Sequence, residues 1–146
     1  MIDKTQGKLN ELRDFVGDIN AKNGFHDREI NIGELCALIS SETSEMLEAH
    51  RVNKHSDIET FGKRFNEVIN SINKPITSKE DWQNRYNKVF RQQFKNHIKE
   101  GLEAELVDCL IRCFDTAYRL NIDIDTLFNL ITFHNSIRGF KHGKQY

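Results

Sequence analysis

The sequence has little proline, no long apolar run and no large excess of charge of either sign. A single proline, Pro75, in 146 residues leaves long segments that can be helical. No stretch approaches the roughly 18 consecutive apolar residues that a membrane-spanning helix needs. The first residues, MIDKTQGKLNELRDF, lack the apolar region of a signal peptide. We therefore expect a cytoplasmic protein without a membrane partner.

Cysteine is also scarce, and the charge is nearly balanced. Cys36, Cys109 and Cys113 are odd in number, and without a secretion signal this predicts reduced thiols that pack as small hydrophobic residues. Cys109 and Cys113 share a helix face, but two thiols alone make a poor zinc site. The formal net charge of -1 argues against broad electrostatic capture of nucleic acid, although it allows a local basic patch.

Apolar residues recur with a period near 3.6 along most of the chain, which predicts an all-α protein. The length predicts a single domain, residues 1–146. Thr77 or Ser78, followed three residues later by Glu80 or Asp81, is typical of a capping box that begins a helix. The predicted helices cover about residues 4–22, 31–52, 56–73, 79–98, 100–120 and 126–135.

Two predicted helices carry pairs of carboxylates one turn apart. On a helical wheel of the second helix, Glu42 lies inside the apolar arc and Glu45 lies on its border. The fifth helix places Glu105 and Asp108 beside a broad apolar face. Glu103 also falls within that apolar face, but in the first turn, where an acid favours the helix dipole, so we interpret it as structural.

If these two helices pack antiparallel, their four carboxylates converge. Four negative charges at one place repel each other unless cations join them, and hard, oxygen-seeking Mg²⁺ or Mn²⁺ suits such ligands. A ferritin-like di-iron site is excluded because no glutamate has a histidine three residues later, and no EF-hand loop is present. Glycosidases use paired carboxylates too, but this helical spacing says nothing in their favour. The pattern therefore favours magnesium-assisted phosphate chemistry, and paired helix-junction acids remain the structural alternative.

Glu42-x-x-Glu45 followed by Glu105-x-x-Asp108 resembles the E-x-x-E … E-x-x-D signature of the MazG-like all-α nucleotide pyrophosphohydrolases. The surrounding segments ALISSETSEMLEAHR and EAELVDCLIRCFDTA resemble the two motif helices, and the tail HNSIRGFKHGKQY is similar to the closing N-x-x-R … H-G-K segment of the family. The resemblance covers residues 25–52 and 100–146.

This resemblance implies Mg²⁺-dependent hydrolysis of a nucleoside triphosphate to the monophosphate and pyrophosphate, for house-cleaning of the nucleotide pool. It implies a MazG-like helical bundle, assembled as a homodimer or homotetramer, with Mn²⁺ as a possible replacement for the metal. The residues matching the family's metal-binding and catalytic acids are Glu42, Glu45, Glu105 and Asp108. The residues matching its substrate contacts are Asn135, Arg138 and Lys144 for the phosphates, with Phe25 and His26 near the base.

The chain departs from the family pattern in two places. Ile131 stands where a lysine is common, which passes its phosphate-binding role to Lys141 or Lys144. The segment between the motifs, about residues 53–99, is a longer helical insertion than expected. Its aromatic residues recur every four positions between basic ones, and we interpret them as core or oligomer interface.

Two alternatives to the enzyme remain open from the sequence. One is a catalytically silent helical interaction module whose acids persist as ion pairs. The other is a single-stranded nucleic-acid binder that uses the basic helix 79–99, although nucleic acid is not the partner that we expect.

Overall fold

The structure is a computed structural model that describes residues 5–72 and 75–139. Within these residues every regular element is a helix, and the all-α prediction is confirmed. The six helices are α1 (Lys8–Lys22), α2 (Ile32–Arg51), α3 (Ile58–Asn70), α4 (Lys79–His97), α5 (Leu102–Arg119) and α6 (Ile124–Ile137). Each lies within a few residues of its predicted position.

The helix starts that differ from the prediction are set by caps. Helix α6 begins at Ile124 rather than Thr126 because the Asp123 side chain accepts the backbone N–H of Thr126. Helix α1 begins only at Lys8, after Gly7 with a positive φ of 78°. The predicted capping box is confirmed at α4, where Ser78 accepts the N–H of Asp81, although Asp81 returns its bond to the backbone of Thr77.

By its backbone contacts the chain divides into two compact units. The first unit comprises residues 1–35 and 111–146, and the second comprises residues 36–110. Helices α2 and α5 contribute residues to both. The expectation of a single domain stays a prediction.

In the first unit, α1 and α6 cap each other. The buried carboxylate of Asp125 accepts the backbone N–H groups of Leu9 (3.3 Å) and Asn10 (2.8 Å), which lie in the first turn of α1. In return the Asn10 side-chain oxygen accepts the N–H of Ile124 at 3.0 Å. Each helix thus satisfies backbone donors at the start of the other, and these long-range caps fix the two helix ends together.

The first unit also contains one close helix approach. Gly17 in α1 is buried, and a Cβ atom at this position would overlap the ring of Tyr118 in α5. The Tyr118 hydroxyl donates to Asp18 at 3.4 Å, so the ring lies flat against this turn of α1. Glycine is therefore required here by space rather than by backbone conformation.

The second unit is built around aromatic packing between α3 and α4. Phe65 of α3 meets Tyr86 edge-on at 5.0 Å, and Phe61 meets Phe90 edge-on at 5.5 Å. These arrangements are the favoured ones for aromatic pairs. Tyr86 and Phe90 thus pack on α3 but stay partly exposed, at 37% and 41%, and the interpretation of the α4 aromatic residues as core or oligomer interface stays a prediction.

Two expectations about surface and core have clear outcomes. No helix among the described residues is both long and apolar enough to cross a membrane.

The expectation that the cysteines pack as core residues is wrong for Cys36 and Cys113, which are exposed, whereas Cys109 is half-buried. None of the three is disulfide-bonded. Cys36 and Cys113 lie on faces of α2 and α5 that are apolar in sequence, but the part of the chain that the structure describes does not bury them.

We expect Gly17→Ala to lower the free energy of unfolding by about 1–3 kcal/mol, because the added methyl group must displace the Tyr118 ring. Urea unfolding followed by circular dichroism measures the change. Gly62→Ala in α3 is the matched control, since a Cβ there meets no atom within 4 Å, and it should stabilise by about 0.5–1 kcal/mol through helix propensity. Equal stabilisation by both substitutions would contradict the described packing.

Candidate metal centre

Three carboxylates of the second unit meet at one point. Glu42 and Glu45 of α2 and Glu105 of α5 each offer an oxygen atom, and these three atoms all lie within 4.8 Å of one another. Glu42 and Glu105 are buried, with 8% and 5% of their surface exposed, whereas Glu45 is exposed to solvent. The cluster is therefore buried at Glu42 and Glu105 and open to solvent at Glu45.

Asp108, the fourth predicted acid, is exposed one turn after Glu105. It is not part of the three-oxygen cluster, but its charge acts on that cluster. Burial raises the pKa of Glu105, and the charges of Glu45, Asp108 and Glu42 raise that pKa further. The other three predicted acids thus all act electrostatically on Glu105.

The positions of these acids depend on a junction between the end of α2 and the start of α5. Residues that follow α2 bond to residues around the start of α5. The Ser56 N–H donates to Glu103 at 2.8 Å, and the Ser56 hydroxyl donates to the carbonyl of Ile98 at 2.9 Å. The Leu102 N–H donates to the carbonyl of Lys54 at 3.0 Å. Because Glu105 lies in the first turn of α5, these bonds hold it at a fixed distance from α2.

Glu103 and Gly101 make this junction tight. Glu103 accepts from the backbone of Ser56 and also contacts the Nδ1 atom of His55 at 2.8 Å. These two interactions are the main reasons that the pKa of Glu103 falls to about 2. A Cβ at Gly101 would overlap the backbone nitrogen and the hydroxyl of Ser56, so a side chain there would push the two segments apart. The interpretation of Glu103 as a structural residue is confirmed.

The donor set of the cluster suits a hard divalent cation. All three converging groups are carboxylates, and Mg²⁺ in proteins is held by one or two carboxylates together with water and substrate oxygens. Thiol and imidazole ligands, which would favour zinc, are not part of the group. A cation here would neutralise the mutual repulsion that raises the pKa of Glu105.

The predicted base-contacting residues lie in the first unit. Phe25 is 60% exposed, and its carbonyl accepts a hydrogen bond from Arg119. His26 is half-buried, contacts the Asp115 carboxylate through Nε2 at 2.8 Å and faces the Tyr118 ring at 5.6 Å. Open space of about 540 Å³ lies beside His26, and residues 27–30, 35 and 118–120 line the rest of it.

The predicted phosphate-binding residues lie at the end of the chain. Asn135 is exposed in the last turn of α6, and Arg138 follows the helix and donates to the Asn135 side chain at 3.4 Å. Ile131, which replaces the common lysine, is also exposed. Lys141 and Lys144 lie outside the described residues. The structure therefore places Asn135 and Arg138 as neighbours.

The sequence did not single out Asp115, which organises the surroundings of His26. Asp115 is 6% exposed and binds both His26 and the Arg119 Nε atom, at 2.8 and 3.0 Å. Burial opposes the charged form, but hydrogen bonds from Asn20, His26 and Arg119 outweigh it and hold the pKa of Asp115 below its usual range. Only the spacing of Asp115 and Arg119, four residues apart, signalled part of this network.

Comparisons of the chain with protein-family models, with curated proteins and with solved structures returned no match.

The junction makes a prediction about acid stability. Because the pKa of Glu103 is lowered from 4.5 to about 2 in the folded chain, its contribution to stability is complete above pH 4.5 and is lost as the pH falls towards 2. We expect Glu103→Gln to lower the free energy of unfolding near neutral pH and to flatten its decline on acidification. Urea unfolding across a pH series measures this. Parallel pH profiles for the two proteins would show that the junction is not held by this carboxylate.

For Glu105 we expect the opposite dependence of stability on pH. Its raised pKa means that the folded chain keeps the proton more tightly than the unfolded chain, so stability falls as the pH rises through the folded pKa. In a chelating buffer, Glu105→Gln should raise the thermal midpoint near pH 7, and the gain should vanish at acidic pH. Glu48→Gln, on the exposed side of α2, should change the thermal midpoint neither near pH 7 nor at acidic pH. A lower midpoint for Glu105→Gln at neutral pH would exclude a mutually repelling cluster.

Proposed function

We propose that the chain is a Mg²⁺-dependent nucleoside triphosphate pyrophosphohydrolase of the MazG-like type. The observation that carries the proposal is the meeting of Glu42, Glu45 and Glu105 within 4.8 Å on two helices. The order and spacing of these acids, with Asp108, match the family signature. The substrate is a ribo- or deoxyribonucleoside triphosphate, and the products are the monophosphate and pyrophosphate.

The acids have distinct tasks in this proposal. Bound Mg²⁺ would supply charge neutralisation at the phosphates and activation of the attacking water. Buried Glu42 and Glu105 would hold the cation on its buried side. Solvent-exposed Glu45 and Asp108 lie where substrate and water arrive. A carboxylate of this set that is not fully engaged by metal orients the water as a general base.

The remaining predicted residues serve the substrate. Arg138 has the planar guanidinium suited to phosphate oxygens, and Asn135, its neighbour, orients it through the bond between their side chains. Lys144 adds a further positive charge. Phe25 presents an exposed ring for stacking on a base, and the next residue, His26, is held by Asp115 and lines the open space of about 540 Å³.

The working form in this proposal is a homodimer or homotetramer. Among the described residues the buried apolar side chains are Leu35, Ala49 and Ala117, whereas many large ones are exposed. Exposed apolar residues occur on α1, α5 and α6, for example Phe15 at 63%, Leu110 at 50% and Phe133 at 56%. Surfaces of this kind on a small protein mark an association interface. A second copy of the chain would cover them.

One specific observation favours the silent interaction module as a second candidate. The same exposed apolar faces would serve binding to another protein equally well. On that view the acids do not bind a metal, and substituting Glu42 and Asp108 with alanine should leave the affinity for Mg²⁺ unchanged.

Pyrophosphate release from a panel of ribo- and deoxyribonucleoside triphosphates, with Mg²⁺ present, tests the proposed activity. We expect turnover of at least one nucleotide and a loss of about 10²-fold or more in Glu42→Gln, as for other groups that stabilise developing charge. Glu48→Gln is the matched control on the same helix and should retain activity. If folded wild-type protein left every nucleotide intact, the enzyme would be excluded in favour of the interaction module.

A further inference from the structure

Helix α4 has a polar face that nothing in the proposed enzyme uses. Six side chains on this face line an open concavity of about 500 Å³, and none of them is acidic or apolar: Asn84, Asn87, Lys88, Arg91, Gln92 and Lys95. The opposite face carries the aromatic residues that pack on α3. The helix is therefore anchored on one side and presents cations and amides on the other.

The basic side chains that line this concavity do not form ion pairs with other described residues. Arg85 binds Asp81 through two hydrogen bonds of 2.8 and 2.7 Å. By contrast, no side-chain hydrogen bond or ion pair among residues 5–72 and 75–139 involves Lys88, Arg91 or Lys95. All three are exposed. The charge of Lys95 helps to lower the pKa of Glu100, but Lys95 forms no ion pair with a described residue, so all three cationic groups can contact a ligand.

The sequence concentrates positive charge in this segment although the whole chain is nearly neutral. No acidic residue lies between Asp81 and Glu100, whereas five lysine or arginine residues do. Lys88, Arg91 and Lys95 are three and four positions apart, which puts them on one side of the helix over about 10 Å. Three aligned charges at this spacing suit a linear polyanion.

The composition of this face indicates whether its partner is a protein, a membrane surface or a nucleic acid. A protein partner would need an apolar centre to its interface, and the six lining residues provide none. A membrane surface would need the apolar side of the amphipathic helix, and that side is packed against α3. Nucleic-acid interfaces are polar and positively charged throughout, as this face is.

Partly exposed aromatic residues of the same helix favour a single strand over a duplex. Phe90 and Phe94 stack on each other at 6.0 Å, and 41% and 38% of their surfaces remain exposed although Phe90 also packs on α3. The unpaired bases of a single strand can reach these ring surfaces while its phosphates contact the cations. The bases of a duplex are already stacked and cannot.

We propose that this face of α4 binds single-stranded nucleic acid through Lys88, Arg91 and Lys95, independently of the acidic site. The amides of Asn87 and Gln92 supply further hydrogen bonds. The binding is weak and without sequence preference, with a Kd in the range of about 10⁻⁴–10⁻⁶ M for such contacts. Three phosphate contacts predict a salt slope of about −2 for a single strand.

Fluorescence anisotropy of a labelled oligothymidylate, titrated with the full chain in a chelating buffer at several salt concentrations, tests the proposal. The variant Lys88→Gln, Arg91→Gln, Lys95→Gln should lose at least about tenfold in affinity, and its salt slope should approach zero, since each phosphate contact on a single strand contributes about 0.7 to the slope. The matched control Lys8→Gln, Lys22→Gln, Lys63→Gln removes the same charge from exposed positions elsewhere and should bind like the wild type.

Four results would overturn the proposal, and the first three concern binding itself. They are an absence of binding at low salt, an equal loss in the control variant, and equal or tighter binding of a duplex of the same length. Competition by polyglutamate as strong as competition by unlabelled oligonucleotide would also overturn it, since the face would then select only charge. Because the site acids are unchanged in both variants, nucleotide hydrolysis is a separate readout, and failure here leaves the proposed enzyme untouched.

Discussion

The electrostatic repulsion among Glu42, Glu45 and Glu105 is the constraint on which the second unit depends. Their oxygen atoms lie within 4.8 Å, and two of the three residues are buried. Such an arrangement disfavours the fully charged state and persists only because other interactions hold α2 and α5 in place. The junction of residues 54–56 with residues 98–103 supplies those interactions through backbone bonds and a close approach at Gly101. A cation that binds the carboxylates would remove the repulsion. The same repulsion therefore explains both the local loss of stability and the proposed binding of a metal.

Acidic side chains have opposite effects in different parts of this chain. Glu103 and Asp125 accept backbone N–H groups near helix starts, where a carboxylate completes the hydrogen bonding and complements the helix dipole. Asp115 is balanced by His26 and Arg119. At Glu105, by contrast, burial and neighbouring acids both oppose ionisation. Only this last environment is improved by a cation, which is why the three-carboxylate cluster, and not every buried acid, is the candidate metal centre.

Periodicity was sufficient to predict the helices and the burial of Glu42, because the apolar arc of α2 contains that position. It did not predict that Glu105 is more buried than its apolar neighbours Leu106 and Val107, which are about half exposed. A helical wheel identifies an apolar face but not which part of it another element covers. The sequence could not predict the capping of α1 by Asp125 for a related reason. Its partners are more than a hundred positions away, and only the folded backbone brings them together.

The most direct test of the account is a Mn²⁺ titration followed by electron paramagnetic resonance, comparing wild-type protein with Glu45→Gln and Glu48→Gln. Mn²⁺ reports binding to a Mg²⁺-type oxygen site without requiring a substrate. We expect saturable binding by wild type that Glu48→Gln preserves, that Glu45→Gln weakens severely, and that excess Mg²⁺ displaces. Equal binding by all three proteins, or no binding by folded wild type, would contradict the claim that the converging carboxylates form a metal centre.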